Sequence, residues 1–390
     1  MKLTLLASLL CTGALAQTAV AATNIDELYE LLKEQQREIE ALKKEQKETE
    51  AKVEATADAI DSGNMGGNKR NDWANNTTIG GYGEHHYNNF DEGNDQVDAH
   101  RFVLYFGHQY SDTVSFFSEL EVEHGLVEGG DDSPGELELE QAFVQWDFAE
   151  KHSLVAGQFL VPVGIINETH EPDTFYGTER NRVESNIIPS TWWETGAMLK
   201  GELAPGFSYN LALHSGLNTE EGNIRSGRQK SAKAVANDYA YTARLKYTGV
   251  PGLELATSLQ YQEDISQGDA EEASATLTEL HAAYQVAAFQ LRALWAAWRV
   301  DGDVAEALGR DDQEGYYIEP SYKVTPKLGF FARYSEWDNT AGLDLSEASE
   351  VVDYGLNYWL VPNVVFKADF SDVQNDDGND SFNLGLGWSF

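Results

Sequence analysis

The sequence predicts an all-β protein: a 16-stranded antiparallel β-barrel that crosses a membrane, preceded by an N-terminal α-helical coiled coil. Three observations predict this. From residue 77 to Phe390, apolar and polar residues alternate with period two. The connections between alternating segments are short and long by turns. Residues 25–60 repeat every seven instead.

The elements follow in order. The chain opens "MKLTLLASLLCTGALAQTAVAA". Lys2 precedes the apolar stretch Leu3–Ala16, and "ALA" at 14–16 or "AVA" at 19–21 offers a small-x-small cleavage site. Residues 1–21 are thus expected to be an export signal, cut between 16 and 22 and too short to span a bilayer. Cys11, the sole cysteine, lies within it, so the mature chain has neither disulfides nor a cysteine metal site. In 22–61, Ile25, Leu32, Ile39, Gln46, Val53 and Ile60 are spaced by sevens, with Leu28, Gln35, Leu42, Thr49 and Thr56 at the second core position. This is a coiled coil whose polar core positions make it weak alone. Residues 62–76, "SGNMGGNKRNDWANN", form a Gly/Asn-rich linker.

Residues 77–390 hold sixteen alternating segments, from 77–88 to 381–390. The fifth is expected at 152–163, the seventh at 207–217 and the twelfth at 315–324. Each even-numbered segment is followed by a tight turn such as "SDT", "APG" or "VPN", and each odd-numbered one by a longer loop, up to Gly164–Thr191. A two-ended object with an even strand number is an outer-membrane type of barrel, with short turns and coiled coil on the periplasmic side. One face of each strand is apolar, as in Val352, Tyr354, Leu356, Tyr358 and Leu360, and the other is polar, as in Asp353 and Asn357. The final "DSFNLGLGWSF" then closes on the first strand, which removes both edges. No inserted segment has the length of a globular plug, so sixteen strands predict a water-filled bore. A net charge of −38 argues against a nucleic-acid partner. Mean hydropathy is −0.45, so nothing in the average hydropathy points to a membrane protein.

The stretch 157–218, above all "VESNIIPSTWWETGA", resembles the phosphate-selective porin O and P family. The layout of signal, coiled coil, linker, sixteen strands and terminal aromatic is similar too. The resemblance implies a homotrimer of water-filled channels for passive diffusion of small hydrophilic solutes, with anions such as phosphate favoured. It implies a third long loop folded inward as the constriction, here Gly164–Thr191, and delivery by the barrel assembly machinery through Phe390. Lipid and lipopolysaccharide would surround the barrel. The departure is electrostatic. Arg101, Lys200, Arg244, Lys246, Arg292, Lys323, Arg333 and Lys367 fall on the lumen face, but so do Glu119, Glu121, Glu123, Glu194, Glu279, Glu319, Asp353 and Asp369. The pore wall reads as mixed in sign rather than as an arginine row.

Arg180 and Arg182, beside Glu179 and Glu184, are the candidate anion-selecting pair of the constriction, backed by Arg101, Arg244, Arg292 and Arg333 on the wall. The competing reading is internal pairing that staples the loop. Arg225, Arg228, Lys230 and Lys233 form a basic cluster that would collect anions at the mouth, cover a neighbouring subunit or meet anionic headgroups. Glu119, Glu121 and Glu123 either hold divalent cations or pair with arginines of neighbouring strands. The acidic loops "EGGDDSPGE" and "QNDDGND" lack calcium-loop spacing. His85, His86, His100 and His108 cluster near the first strands, but alternation sends His85 and His86 to opposite faces, so no metal and no cofactor is expected. No catalytic motif occurs, and the chain is expected not to be an enzyme. The alternative function is a structural barrel whose coiled coil tethers the outer membrane to the cell wall.

Overall fold

The computed structural model describes residues 73–125, 135–343, 347–374 and 380–390. The signal, the coiled coil and the linker up to residue 72 lie outside the described residues, as does most of both acidic loops. Residues from Trp73 to Phe390 form one compact unit.

Sixteen strands build it. The first eight are β1 (Thr77–Phe90), β2 (Gln96–Ser111), β3 (Val114–Glu123), β4 (Leu137–Ala149), β5 (His152–Leu160), β6 (Trp193–Ala204), β7 (Phe207–His214) and β8 (Ala240–Tyr247). The others are β9 (Leu253–Gln262), β10 (Ser274–Val286), β11 (Phe289–Asp301), β12 (Asp312–Thr325), β13 (Leu328–Asp338), β14 (Ser349–Val361), β15 (Val364–Val373) and β16 (Ser381–Ser389). Two short helices, α1 (Val183–Asn186) and α2 (Asp303–Ala307), lie in the long loops. Each strand pairs antiparallel with its sequence neighbours, and β1 pairs with β16 to close the barrel. The seam runs from Tyr82 opposite Ser389 to Phe90 opposite Ser381. Phe390 completes it: its N–H donates to Gly81 O at 2.9 Å, and its carbonyl accepts from Gly81 N at 3.0 Å. Closure leaves no edge groups to be satisfied in hydrocarbon.

Strand ends differ from the expected ones where backbone chemistry intervenes. β5 stops at Leu160, because Pro162 has no N–H for the ladder and the chain turns inward. β7 stops at His214, after which Gly216 takes a positive φ of 76°. β12 starts at Asp312, earlier than the polarity change at Gly315 suggested, because the ladder to β11 persists through Arg299 and Asp312.

The faces sort as alternation predicts. Phe330, Tyr354, Tyr358, Leu360, Phe366 and Phe370 are exposed on the outside. Arg333, Asp353, Asn357, Lys367 and Asp369 are buried in the lumen. The small residues between the apolar ones of β16 have a specific reason. A Cβ at Gly387 would lie 2.5 Å from Cβ of Pro172, which belongs to the loop inside the barrel. The last strand is smooth on its inner face because that loop lies against it.

Deleting 381–390 should leave β1 and β15 as open edges. The full chain, refolded into detergent, should migrate as a heat-modifiable barrel on a gel. The truncated chain should not, and a heat-modifiable truncated form would show that the seam is dispensable.

Candidate constriction inside the barrel

The connection from β5 to β6, residues 161–192, folds into the lumen, as expected, and is largely buried. Irregular backbone at this depth needs a partner for each polar group. The wall supplies them one carbonyl at a time. Thr174 O accepts from Arg292 Nη2 (2.9 Å) on β11, Phe175 O from Asn357 Nδ2 (3.0 Å) on β14, and Tyr176 O from Arg333 Nη1 (3.3 Å) on β13. Gly177 O accepts from Lys367 Nζ (2.8 Å) on β15, and Glu179 O from Arg333 Nη2 (3.3 Å). Thr178 reverses the polarity: its N–H and hydroxyl both donate to Asp369 Oδ2 at 2.7 Å. On β2 Arg101 Nη2 donates to His170 O at 2.5 Å, and on β8 Arg244 grips Glu168 with both terminal nitrogens.

The four wall arginines therefore do face the lumen, but they hold the loop. Three have local partners besides the loop's carbonyls, Arg101 in Glu84, Arg244 in Glu168 and Asn210, and Arg333 in Glu319 and Asp353, whereas Arg292 is bonded to the Thr174 carbonyl. They do not meet as a row.

A second anchor is apolar. Val161, Val163, Val183, Ile187, Ile188 and Trp192 of the loop pack with Leu217, Ile224 and Ile265 from two other long loops. The cluster is completed by Leu277, Trp298 and Tyr317, inward residues of β10 to β12. Sequence alternation assigns such a lumen face to water. The cluster exists because four loops converge there, Ala305 of α2 supplying the fourth, which no single strand reveals. At its heart is Glu184 on α1, fully buried. Its carboxylate accepts from Ile165 N (2.5 Å), Ile166 N (2.7 Å), Asn181 Nδ2 (2.9 Å) and Tyr317 Oη (3.0 Å). Burial pushes its pKa up, and these four donors oppose the rise. Gly164, at φ 79°, leaves room for it: a Cβ there would stand 2.4 Å from Glu184 Oε1.

The loop separates two cavities. The one toward the long loops, about 360 Å³, brings together Arg180, Arg182, Arg225, Arg228 and Lys230. Glu123, Glu136, Glu138 and Glu179 line it too, with His86, His100 and His124. The one toward the short turns, about 410 Å³, is bordered by Glu168, Lys246, Glu254 and Arg292. No residue borders both.

Glu179 and Glu184 do not neutralise the arginine pair between them. Glu184 lies within the apolar cluster, while Glu179 pairs with His86 Nδ1 (3.1 Å) and Asn88 Nδ2 (3.1 Å). Burial raises the Glu179 pKa, but the His86 contact and nearby cations outweigh it and hold it at about 2. Arg180 donates to Thr191 Oγ1 (3.1 Å), Arg225 to the carbonyls of Ser185 (2.6 Å) and Ser190 (3.2 Å), and Arg228 to Pro189 O (3.0 Å) and Thr191 O. Burial lowers Arg228 to about 10, which leaves it charged at neutral pH. Lys230 is paired with Glu136 and Glu138. Lys233 is exposed and does not border the cavity. Of the four predicted histidines, His86 and His100 stack at 4.3 Å on the lumen side, whereas His85 lies by Trp388 and His108 by Trp73. The sequence reading missed Glu168 and His170 as loop anchors. Their signal was only that they are polar residues on an inward loop.

Glu184→Ala should strip four donors of their acceptor, at about 1–3 kcal/mol for each group left buried and unpaired. The barrel should stay heat-resistant while single-channel traces become noisier and conductance rises. Unchanged traces would show that Glu184 does not hold the loop.

Comparison with known proteins agrees with this geometry. Residues 199–378 match the family model described as Gram-negative porin. A protein of Aquifex aeolicus (strain VF5), described as uncharacterized, is 30% identical over 349 residues, covering 80% of each chain. Among solved structures, an anion-selective porin from Comamonas acidovorans superposes with a TM-score of 0.57 at 13% identity, covering 80% of this chain and 99% of that one. OmpT, an outer membrane protein of Vibrio cholerae solved in a trimer form, gives 0.56 at 10% identity, covering 80% and 99%. These two show the fold alone. With a closed sixteen-stranded barrel, an inward loop and the match over residues 199–378, the chain is similar to the Gram-negative porins.

Proposed function

We propose that this outer-membrane channel is a homotrimer that passes small hydrophilic solutes by diffusion and leans toward anions, phosphate among them, as in the porin O and P family. One observation carries the lean. Arg180, Arg182, Arg225 and Arg228 border one cavity, and among the described residues none of the four has a carboxylate within ion-pair distance. Three of them donate to neutral oxygens, which orients a guanidinium without cancelling its charge. In a confined space beside low-dielectric walls, these charges offset an anion's loss of hydration and oppose cations. Glu123, Glu136 and Glu138 across the cavity limit the lean.

The long-loop end would face outward, as is usual for such barrels. Lipid and lipopolysaccharide would cover the exposed apolar band, and Phe390 would present the chain to the assembly machinery. The trimer form of the Vibrio cholerae protein supports the oligomeric reading for this fold.

A second reading, a structural barrel tethered through the coiled coil, is favoured by one feature. The inward loop touches the wall on many strands and separates the two cavities. Conductance decides between them: a barrel that carries no current in planar bilayers would be a tether. Deleting 25–60 should weaken the trimer and leave conducting barrels. Loss of conductance after correct insertion would make the coiled coil part of the pore.

Replacing Arg180 and Arg182 with Ala should move the reversal potential in a salt gradient toward cations. Each charge in a wet vestibule is worth about 1 kcal/mol on a nearby ion, or roughly fivefold in relative permeability at most. An unmoved reversal potential with intact trimers would mean that the pair serves the loop's structure only.

A further inference from the structure

On the wall formed by β3 and β4, three side chains converge at ion-pair distance, and the histidine is beyond hydrogen-bond distance of both carboxylates. His170 comes from the inward loop, Glu119 from β3 and Glu140 from β4. All are buried, with Glu140 at 0% exposure and His170 at 3%. Their donor atoms lie within 4.8 Å of one another. His170 Nε2 is 3.8 Å from Glu119 Oε1 and 3.6 Å from Glu140 Oε2. Among the described residues neither oxygen of Glu140, nor His170 Nε2, has a hydrogen-bond partner. A buried carboxylate in that state is strongly unfavourable unless a cation completes it.

The backbone puts Glu140 there by a specific device. Glu119 pairs with Gln141 and Leu120 with Leu139, so Glu140 is the extra residue of a β-bulge. Bulges re-aim side chains. Here Gln141 is left free to donate to Glu119 Oε2 (2.6 Å), while Tyr82 Oη donates to Glu119 Oε1 (3.0 Å), and Glu119 is fixed. His170 is fixed as well. Its Nδ1 lies 3.1 Å from the Asn167 carbonyl, which can only accept, so Nδ1 carries the proton. In the neutral ring Nε2 then presents a lone pair to two carboxylates. A backbone carbonyl on the far nitrogen is how metal-bound imidazoles are commonly oriented.

Distance separates the two possible occupants. Ligands at about 2.0–2.2 Å around a tetrahedral ion stand roughly 3.3–3.6 Å apart. A charge-assisted N–H···O bond draws its atoms to about 2.7–2.9 Å. The observed 3.6 and 3.8 Å lie near the first value and far from the second. Charge points the same way. Glu121 is buried beside Glu140, and Arg101 donates to Glu84 and to the His170 carbonyl while its Nη1 has no hydrogen-bond partner among the described residues. The pocket selects positive charge, and a proton is the rival of a metal.

We infer that Glu119, Glu140 and His170 form a buried site for a divalent transition-metal ion of the zinc type, which fastens the inward loop to the barrel wall. Imidazole and carboxylate donors suit that class, and Glu121 is the adjacent further oxygen donor.

The test uses the untagged full chain in detergent and Co²⁺ as a visible probe. The expected result is one Co²⁺ per protomer with ligand-field absorption, displaced by Zn²⁺. His170→Ala should abolish the absorption, and Glu140→Gln should weaken binding by more than the roughly 10–100-fold typical of losing a supporting partner. His124→Ala, which removes a ligand from the separate Asp98, His100 and His124 group at the mouth, should leave it unchanged. If the wild type takes up no stoichiometric Co²⁺, the proton is the occupant and the inference is overturned. It is overturned equally if the absorption follows His124 rather than His170. Should His170→Ala not fold, Glu140→Gln and the wild-type titration decide alone.

Discussion

Everything inside this barrel depends on satisfying the backbone of one irregular loop. A strand in a closed sheet finds its partners in its neighbours, but residues 161–192 have no ladder. Side chains of the wall supply what a ladder would. The run of carbonyls from Thr174 to Gly177 is taken in succession by β11, β14, β13 and β15. Cations used in this way need counter-charges, because a guanidinium in a dry site is unfavourable without them. Glu84, Glu319 and Asp353 provide these. The mixed sign of the lumen is therefore a requirement of anchoring. A wall of arginines alone could not hold the same loop as firmly, since each would carry an uncompensated buried charge.

This divides the basic residues into two kinds. Arg101, Arg244 and Arg333 have acids at ion-pair distance and present little net charge to a passing solute. Arg180, Arg225 and Arg228 are bonded to hydroxyl or carbonyl oxygens and keep theirs. The selectivity proposed above would then rest with the residues at the mouth, while the side chains of the barrel wall hold the inward loop.

The sequence made the barrel legible in most respects. Alternation identifies each strand from Thr77 to Ser389, because one face meets lipid and the other does not. The lumen assignment of Arg333, Asp353 and Lys367 follows from the same period. Ends were less legible where a single residue such as Pro162 or Gly216 breaks the ladder. Partners were not legible at all, because period two says which way a side chain points and not what it meets. Glu119 shows the limit. Its spacing with Glu121 and Glu123 allowed either cations or arginines, and the choice turns on a bulge at Glu140 and on a histidine fifty-one residues from Glu119 along the chain. The apolar cluster around Trp192 and Trp298 was hidden for the same reason: its parts come from four loops and three strands.

The inward loop also spans the seam. Glu179 bonds to His86 and Asn88 on β1, Thr178 bonds to Asp369 on β15, and Asp173 accepts from Ser389 Oγ on β16. Pro172 rests on the smooth face of Gly387. One stretch of the chain thus bridges the first strand and the last from within. Its seat is synthesised about two hundred residues after the loop itself and exists only once both ends of the sheet have met. Docking of the loop must then be a late step of assembly. Once docked, it braces the junction mechanically, so that parting β1 from β16 sideways would have to break the loop's contacts together with the backbone ladder.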